Sequence, residues 1–163
     1  SYTVEKFGSL DVIVTSAGLE IYGELADCDP ERVKKVIEVN YLGMVYMVKA
    51  AIPELKKSES ALVININSQA STGISIGRSV YYSSKWATNG FTKNIAKELA
   101  QYGIKTSSVY PGAVSTKFGV KAGKDRDMSD TVTAEDVARA VMFVVDQDGD
   151  VVIPEIGVKH ILN

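Results

Sequence analysis

The chain has 163 residues, 45% hydrophobic and 23% charged, with a formal net charge of -2 and its Lys and Arg spread along its length. That balance suits one soluble globular domain with a sizeable core, excludes disordered and collagen-like classes, and gives no reason to expect a nucleic-acid or membrane partner, so a small molecule is the default ligand. Cys28 is the single cysteine and His160 the single histidine, which rules out an internal disulfide or a metal-ligand set built on them and fits a reducing, cytosolic setting.

In chain order, "SYTVEKFG" reads as a helix tail entered midway and as neither a signal nor a transit peptide; no apolar run approaches the ~20 residues of a membrane span. "LDVIVT" at 10–15 is an almost continuous apolar run stopped by "SAG", the pattern of a central parallel strand buried on both faces. Asp29 as N-cap and Pro30 at the first helical position then open a helix expected to run to about Lys57. Its stripe of Val33, Val36, Ile37, Met44, Met47, Val48, Ala51 and Leu55 repeats at three and four, and Asn40 falls on the same stripe. "ALVINI" at 61–66 is a second buried strand. A second helix follows, from "SVYYSSKW" to a Gly103 stop, with Phe91, Ile95 and Leu99 toward the core. "KTSSVY" at 105–110 is a third strand, ended by Pro111 and Gly112, and the polar stretch at 121–131 reads as a long surface loop. Thr133 and Asp136 stand in capping-box spacing before a helix that keeps Val137, Ala140, Val141, Val144 and Val145 on one face, and "VVI" at 151–153 closes the chain as a short strand.

Alternating strands and helices of this kind imply an α/β fold with a parallel sheet and right-handed crossovers, in a single domain over 1–163. Such sheets bind ligands at the carboxyl ends of their strands, which directs attention to Ser16–Gly18, Asn67–Ser71 and Pro111–Thr116, and to Asn40, Tyr81 and Lys85 on the helices. Each has a bland reading. A Tyr four before a Lys is commonly an exposed amphipathic pair, Ser68 a turn residue, Asn40 a satisfied buried amide holding a neighbouring backbone group, and "SAG" and "YPG" plain turns. Their coincidence in this order on one α/β frame is what those readings leave unexplained.

Taken together, "DVIVTSAG", "VNYLG", "INS", "YYSSK", "YPGAVST" and "VVIPEI" strongly resemble the ordered motifs of the short-chain dehydrogenase/reductase family, over nearly the whole chain. The resemblance implies a partial Rossmann-like, doubly wound parallel sheet carrying the family's strands 4 to 7, and a catalytic tetrad of Asn40, Ser68, Tyr81 and Lys85. It implies an NAD- or NADP-dependent oxidoreductase interconverting a secondary alcohol and a ketone or aldehyde. Tyr81 would be the acid and base, its pKa lowered by Lys85 and by the oxidised nicotinamide. Ser68 would hold the substrate oxygen, Lys85 the nicotinamide ribose, and Asn40 a water that passes protons to Lys85. Ala17 and Gly18 would line the adenosine side, Pro111 and Gly112 would cup the nicotinamide, and Val114 and Thr116 would contact its carboxamide. The family spacing selects Tyr81, four before Lys85 and thirteen after Ser68, and leaves Tyr82 and Trp86 to packing.

Two departures accompany the resemblance. Thr15 and Ser16 stand where the family has two asparagines, and no Thr-Gly-x-x-x-Gly-x-Gly turn for a pyrophosphate precedes "SYTVEKFG"; "TGISIG" at 72–77 lacks the last glycine and reads as a loop at the substrate mouth. The chain is therefore expected to be the catalytic C-terminal portion of a longer enzyme, or to complete itself by dimerising or by pairing with a separate N-terminal segment. A dimer or tetramer through the helices at 30–57 and 79–102 is also implied by the family. The competing expectation is a catalytically silent fragment that serves as a binding or assembly partner. Substrate shape should be set by Leu19–Leu25, Gln69–Gly77 and the loop after Thr116.

Overall fold

Four strands form one parallel sheet in the order β1-β2-β3-β4, with β1 at Val12–Thr15, β2 at Leu62–Ile66, β3 at Lys105–Pro111 and β4 at Glu155–Val158. The computed structural model describes residues 2–121 and 129–162, so the middle of the polar stretch expected as a loop at 121–131 lies outside the described residues. Side chains alternate across a strand, and the sheet uses this to feed two cores. Ile13 and Val63 meet Met44, Val48, Ala51 and Leu55 of α3 (Gly43–Leu55) and Ile95 and Leu99 of α4 (Ser79–Ala100) on one face. Leu62, Ile64 and Val109 meet Ala140 and Val144 of α6 (Ala134–Val145) on the other. Helices on both faces of an all-parallel sheet make the fold Rossmann-like, as the motif order implies. Each fully buried Leu, Ile or Val here contributes about 1.5–3 kcal/mol.

The helix ends follow their sequence signals. Asp29 accepts from the Glu31 N–H ahead of Pro30, where α2 (Pro30–Ile37) begins, and Thr133 and Asp136 make both halves of a capping box. After α4 the chain turns through Gly103 at φ 71°, a left-handed conformation suited to glycine. α1 (Tyr2–Phe7) is the short helix at the start and α5 (Phe118–Lys121) a single turn after β3.

Among the described residues β1 pairs with β2 alone, and Val14 is 43% exposed. Three expectations need correction. The closing strand is Glu155–Val158 rather than 151–153; Pro154 has no N–H to donate, Val151 and Val152 stay exposed, and the register with β3 starts at Ser108↔Glu155. Pro111 belongs to β3 instead of ending it, pairing with Val158. The helix expected from 30 to about 57 is interrupted by one π turn at Glu38–Leu42, whose Gly43 N–H donates to Glu38 five residues back. Downstream of the turn Met44, Val48, Ala51 and Leu55 keep the expected stripe buried, whereas Met47 at its margin is 51% exposed, and Asn40 sits buried on the turn itself.

Candidate active site

The carboxyl ends of β1, β2 and β3 open into one cavity of about 550 Å³, closed on one side by α6 and by Phe118. Gly18, Ser68, Tyr81, Lys85, Pro111, Gly112, Val114 and Thr116 all line it, so the motifs scattered over a hundred residues of chain converge on one space. Ala17 and Asn40 do not line it. Ala17 is exposed beside the cavity wall, and Asn40 lies behind it.

Asn40 is fully engaged in holding protein. Its Oδ1 accepts from the Leu19 N–H at 2.7 Å, and its Nδ2 donates to the Leu19 carbonyl at 2.9 Å and to Ser84 Oγ at 2.9 Å. The bland reading of a buried amide clamping neighbouring backbone therefore describes its side chain. Replacing Asn40 with Leu should destabilise the chain by about 2–4 kcal/mol, the sum of these bonds and of the orphaned Leu19 groups. Urea denaturation measures the loss, and hydrogen exchange at the Leu19 amide should accelerate in the same variant.

Thr15 performs the strand-tying expected of the family asparagine. Its Oγ1 lies 3.2 Å from Asn65 Oδ1, and Asn65 Nδ2 donates to Thr92 Oγ1 at 3.1 Å, linking β1 through β2 to α4. Ser16 is exposed at the cavity wall. Ser68 caps a short turn at Gln69–Ser71 by accepting from the Ala70 N–H, so its turn role and its place in the cavity coexist.

Tyr81 is 6% exposed, with its ring edge-on to Tyr82 and tilted against Phe118. Burial pushes its phenol up to about 12; a hydrogen bond with Ser68 opposes this, the Glu20 charge adds to it and the Arg78 charge works against it. Lys85 is not among these leading influences. Its own ammonium is desolvated and drawn down to about 8, and its Nζ donates to the Ile66 carbonyl at 3.3 Å. Trp86 is 52% exposed and donates to the Gly73 carbonyl, while Tyr82 turns toward Tyr81 and Arg78.

Sequence reasoning did not single out Glu20, Tyr22, Arg78 or Phe118, all on the cavity wall. Glu20 is 7% exposed and ion-paired to Arg78, whose guanidinium lies over the rings of Tyr22, Tyr81 and Tyr82. A signal existed: a lone acid inside the apolar run "LEIY" and an arginine immediately before a helix that carries the candidate acid.

The donors at the cavity fit a nicotinamide dinucleotide. Asn67 Nδ2 is buried and unpartnered at the wall, and Lys85 has hydrogen-bonding capacity beyond the Ile66 carbonyl. Added at Gly112, a Cβ would come within 3.2 Å of Lys159 Cβ and 3.4 Å of Gln69 Oε1, so glycine lets β3 and the segment after β4 approach closely there.

The short chain dehydrogenase family model matches residues 1–127. An uncharacterised oxidoreductase of Staphylococcus saprophyticus is 30% identical over 159 residues, 98% of this chain and 67% of that protein. Trans-4-hydroxycyclohexanecarboxylate dehydrogenase of Sinomonas cyclohexanicum is 38% identical over 122 residues, 74% of this chain and 47% of that protein. The structure of an alcohol dehydrogenase from the archaeon Thermococcus sibiricus, complexed with 5-hydroxy-NADP, superposes with a TM-score of 0.89 at 26% identity, covering 99% of this chain and 68% of that one. No described helix is long and apolar enough to cross a membrane. With its motifs, its sheet and its cavity all of one kind, the chain belongs to the short-chain dehydrogenase/reductase family of oxidoreductases.

Proposed function

We propose that this chain forms the catalytic part of an NAD- or NADP-dependent oxidoreductase that interconverts a secondary alcohol and a ketone or aldehyde. The observation that carries the reading is the convergence of Tyr81, Ser68 and Lys85, with the unpartnered Asn67 amide, on a single cavity at the carboxyl ends of the strands. The dehydrogenase relatives, and the 5-hydroxy-NADP held by a neighbour of the same fold, support it. The nicotinamide, when bound, supplies or accepts the hydride.

Tyr81 donates the proton to the carbonyl oxygen in reduction and takes the alcohol proton in oxidation. Ser68 holds the substrate oxygen against the phenol. Lys85 holds the ribose hydroxyls, and a water at the widened turn of Asn40 supplies protons behind it. Gly18, with Ala17 at the rim, takes the adenosine side, and Pro111, Gly112, Val114 and Thr116 cup the nicotinamide. In this reading residues 1–163 act within a single Rossmann-type domain. The exposed Tyr46, Met47 and Trp86 support a dimer or tetramer through α3 and α4. The reading of a silent assembly partner has no observation of its own in the site.

Cofactor fluorescence tests the proposal. NADH or NADPH should bind with enhanced emission when a polypeptide carrying the glycine-rich turn is supplied, and more weakly without it. No binding and no turnover in either case would sink the enzyme reading.

A further inference from the structure

The Glu20–Arg78 pair has no part in the chemistry proposed above, yet it occupies the wall beside the candidate acid. The Glu20 side chain is 2% exposed and that of Arg78 22%. Burying such a pair is costly and gives little stability by itself, whereas removing one partner leaves an uncompensated charge. Here that charge would stand next to Tyr81. Arg78 precedes the first residue of α4, and its guanidinium carbon lies 5.3 Å from the centre of the Tyr81 ring, 5.1 Å from that of Tyr22 and 5.0 Å from that of Tyr82. Glu20 directly follows Leu19, the residue whose N–H and carbonyl Asn40 clamps. The same two segments are joined again by the Gly23 N–H donating to the Gly77 carbonyl at 3.0 Å, and Ile21 packs with Val36 and Val80 just beside the pair. An unbroken set of contacts thus runs from Asn40 through Leu19, Glu20 and Arg78 to Tyr81.

We propose that Glu20 and Arg78 are a positioning pair for Tyr81: Arg78 cancels the buried Glu20 charge beside the phenol, and the pair pins the 19–23 segment to the start of α4. The proposal rests on the reading of Tyr81 as acid and base but is tested without turnover. The groups facing Tyr81 are Arg78, Tyr82 and Lys85 from α4 and its cap, Glu20 and Tyr22 from the segment after β1, and Ser68 after β2, with the uncharged ring of Phe118 opposite. Of these, Glu20 and Arg78 are the only two whose charges oppose each other directly. Burial works against the Arg78 charge, but the Glu20 carboxylate and its hydrogen bond outweigh that and hold its pKa above the ordinary value. The guanidinium therefore stays charged over the whole working range, and the balance at Tyr81 is a fixed feature of the wall.

Fluorine NMR of the chain with all eight tyrosines fluorinated brings the phenols into an accessible pH range, and the Tyr81→Phe variant assigns the resonance. Glu20→Gln leaves Arg78 uncompensated and should lower the Tyr81 midpoint by about one pH unit; Arg78→Gln should raise it by a similar amount. Arg78→Lys, which keeps the charge, and the neutral double variant should both return it close to the parent value. A purely structural pair would shift both single variants in one direction or neither, and that result overturns the proposal. If Arg78→Gln does not fold, Glu20→Gln and the double variant decide alone. Should Tyr81→Phe keep its turnover while the opposite shifts are seen, the acid–base reading falls and the electrostatic pair stands.

Discussion

Tyr81→Phe should reduce turnover by about 10³-fold or more while leaving the fold intact. General acid–base catalysis by a positioned side chain is worth about 10²–10⁴, and the substitution removes only a hydroxyl. The ring keeps its contacts with Tyr82 and Phe118, and the lost hydrogen bond with Ser68 costs about 1 kcal/mol. The direction of reaction matters. In the chain alone burial keeps the phenol protonated to about pH 12, the state that carbonyl reduction requires, so the reduction rate of the parent should be flat through neutral pH. Steady-state rates in both directions, with thermal melts as a control, measure this. Substantial residual activity of Tyr81→Phe at neutral pH would refute the role given to the phenol.

The choice between Tyr81 and Tyr82 shows what the sequence could carry only with a family beside it. The spacing to Lys85 and Ser68 is written in the chain, but it selects Tyr81 because the resemblance supplies the pattern; by itself a Tyr four before a Lys is an ordinary helical pair. Pattern alone placed Gly18 and Pro111–Thr116, because strand ends are where apolar runs stop. What periodicity could not give was anything set by a partner distant in sequence. Met47 reads as core, yet it stands 51% exposed at the margin of the stripe that Met44, Val48, Ala51 and Leu55 bury. Glu20 and Arg78, fifty-eight residues apart, each look like surface charges and become one buried pair only when two loops meet. Asn40 is the intermediate case: its place on an apolar stripe was legible, but that its amide is spent on the Leu19 backbone depends on where the segment after β1 returns.

Lys85→Met should cost function and add stability, and the two effects separate by pH. Burial draws the Lys85 ammonium from 10.5 to about 8, so the folded chain binds fewer protons than the unfolded one between those values. Stability then rises with pH across that window, and the whole penalty is present below about pH 8. At about 1.4 kcal/mol per pH unit the burden at neutral pH is on the order of 3 kcal/mol. Methionine fills similar volume with no charge, so Lys85→Met should be more stable than the parent at pH 7 by about 1–3 kcal/mol, less than the full amount because the bond to the Ile66 carbonyl is lost. The stability rise between pH 8 and 10.5 should vanish from its profile. Tyr81 acts in the opposite sense: its folded pKa is raised from 10 to about 12, so its contribution is intact below pH 10 and declines above it in both proteins. Urea denaturation at several pH values reads both windows. A parent as stable as Lys85→Met at pH 7 would mean that the ammonium is already compensated. A buried, uncompensated lysine beside a cavity is a cost that folding alone gives no reason to keep, whereas the ribose hydroxyls proposed to bind there would supply one.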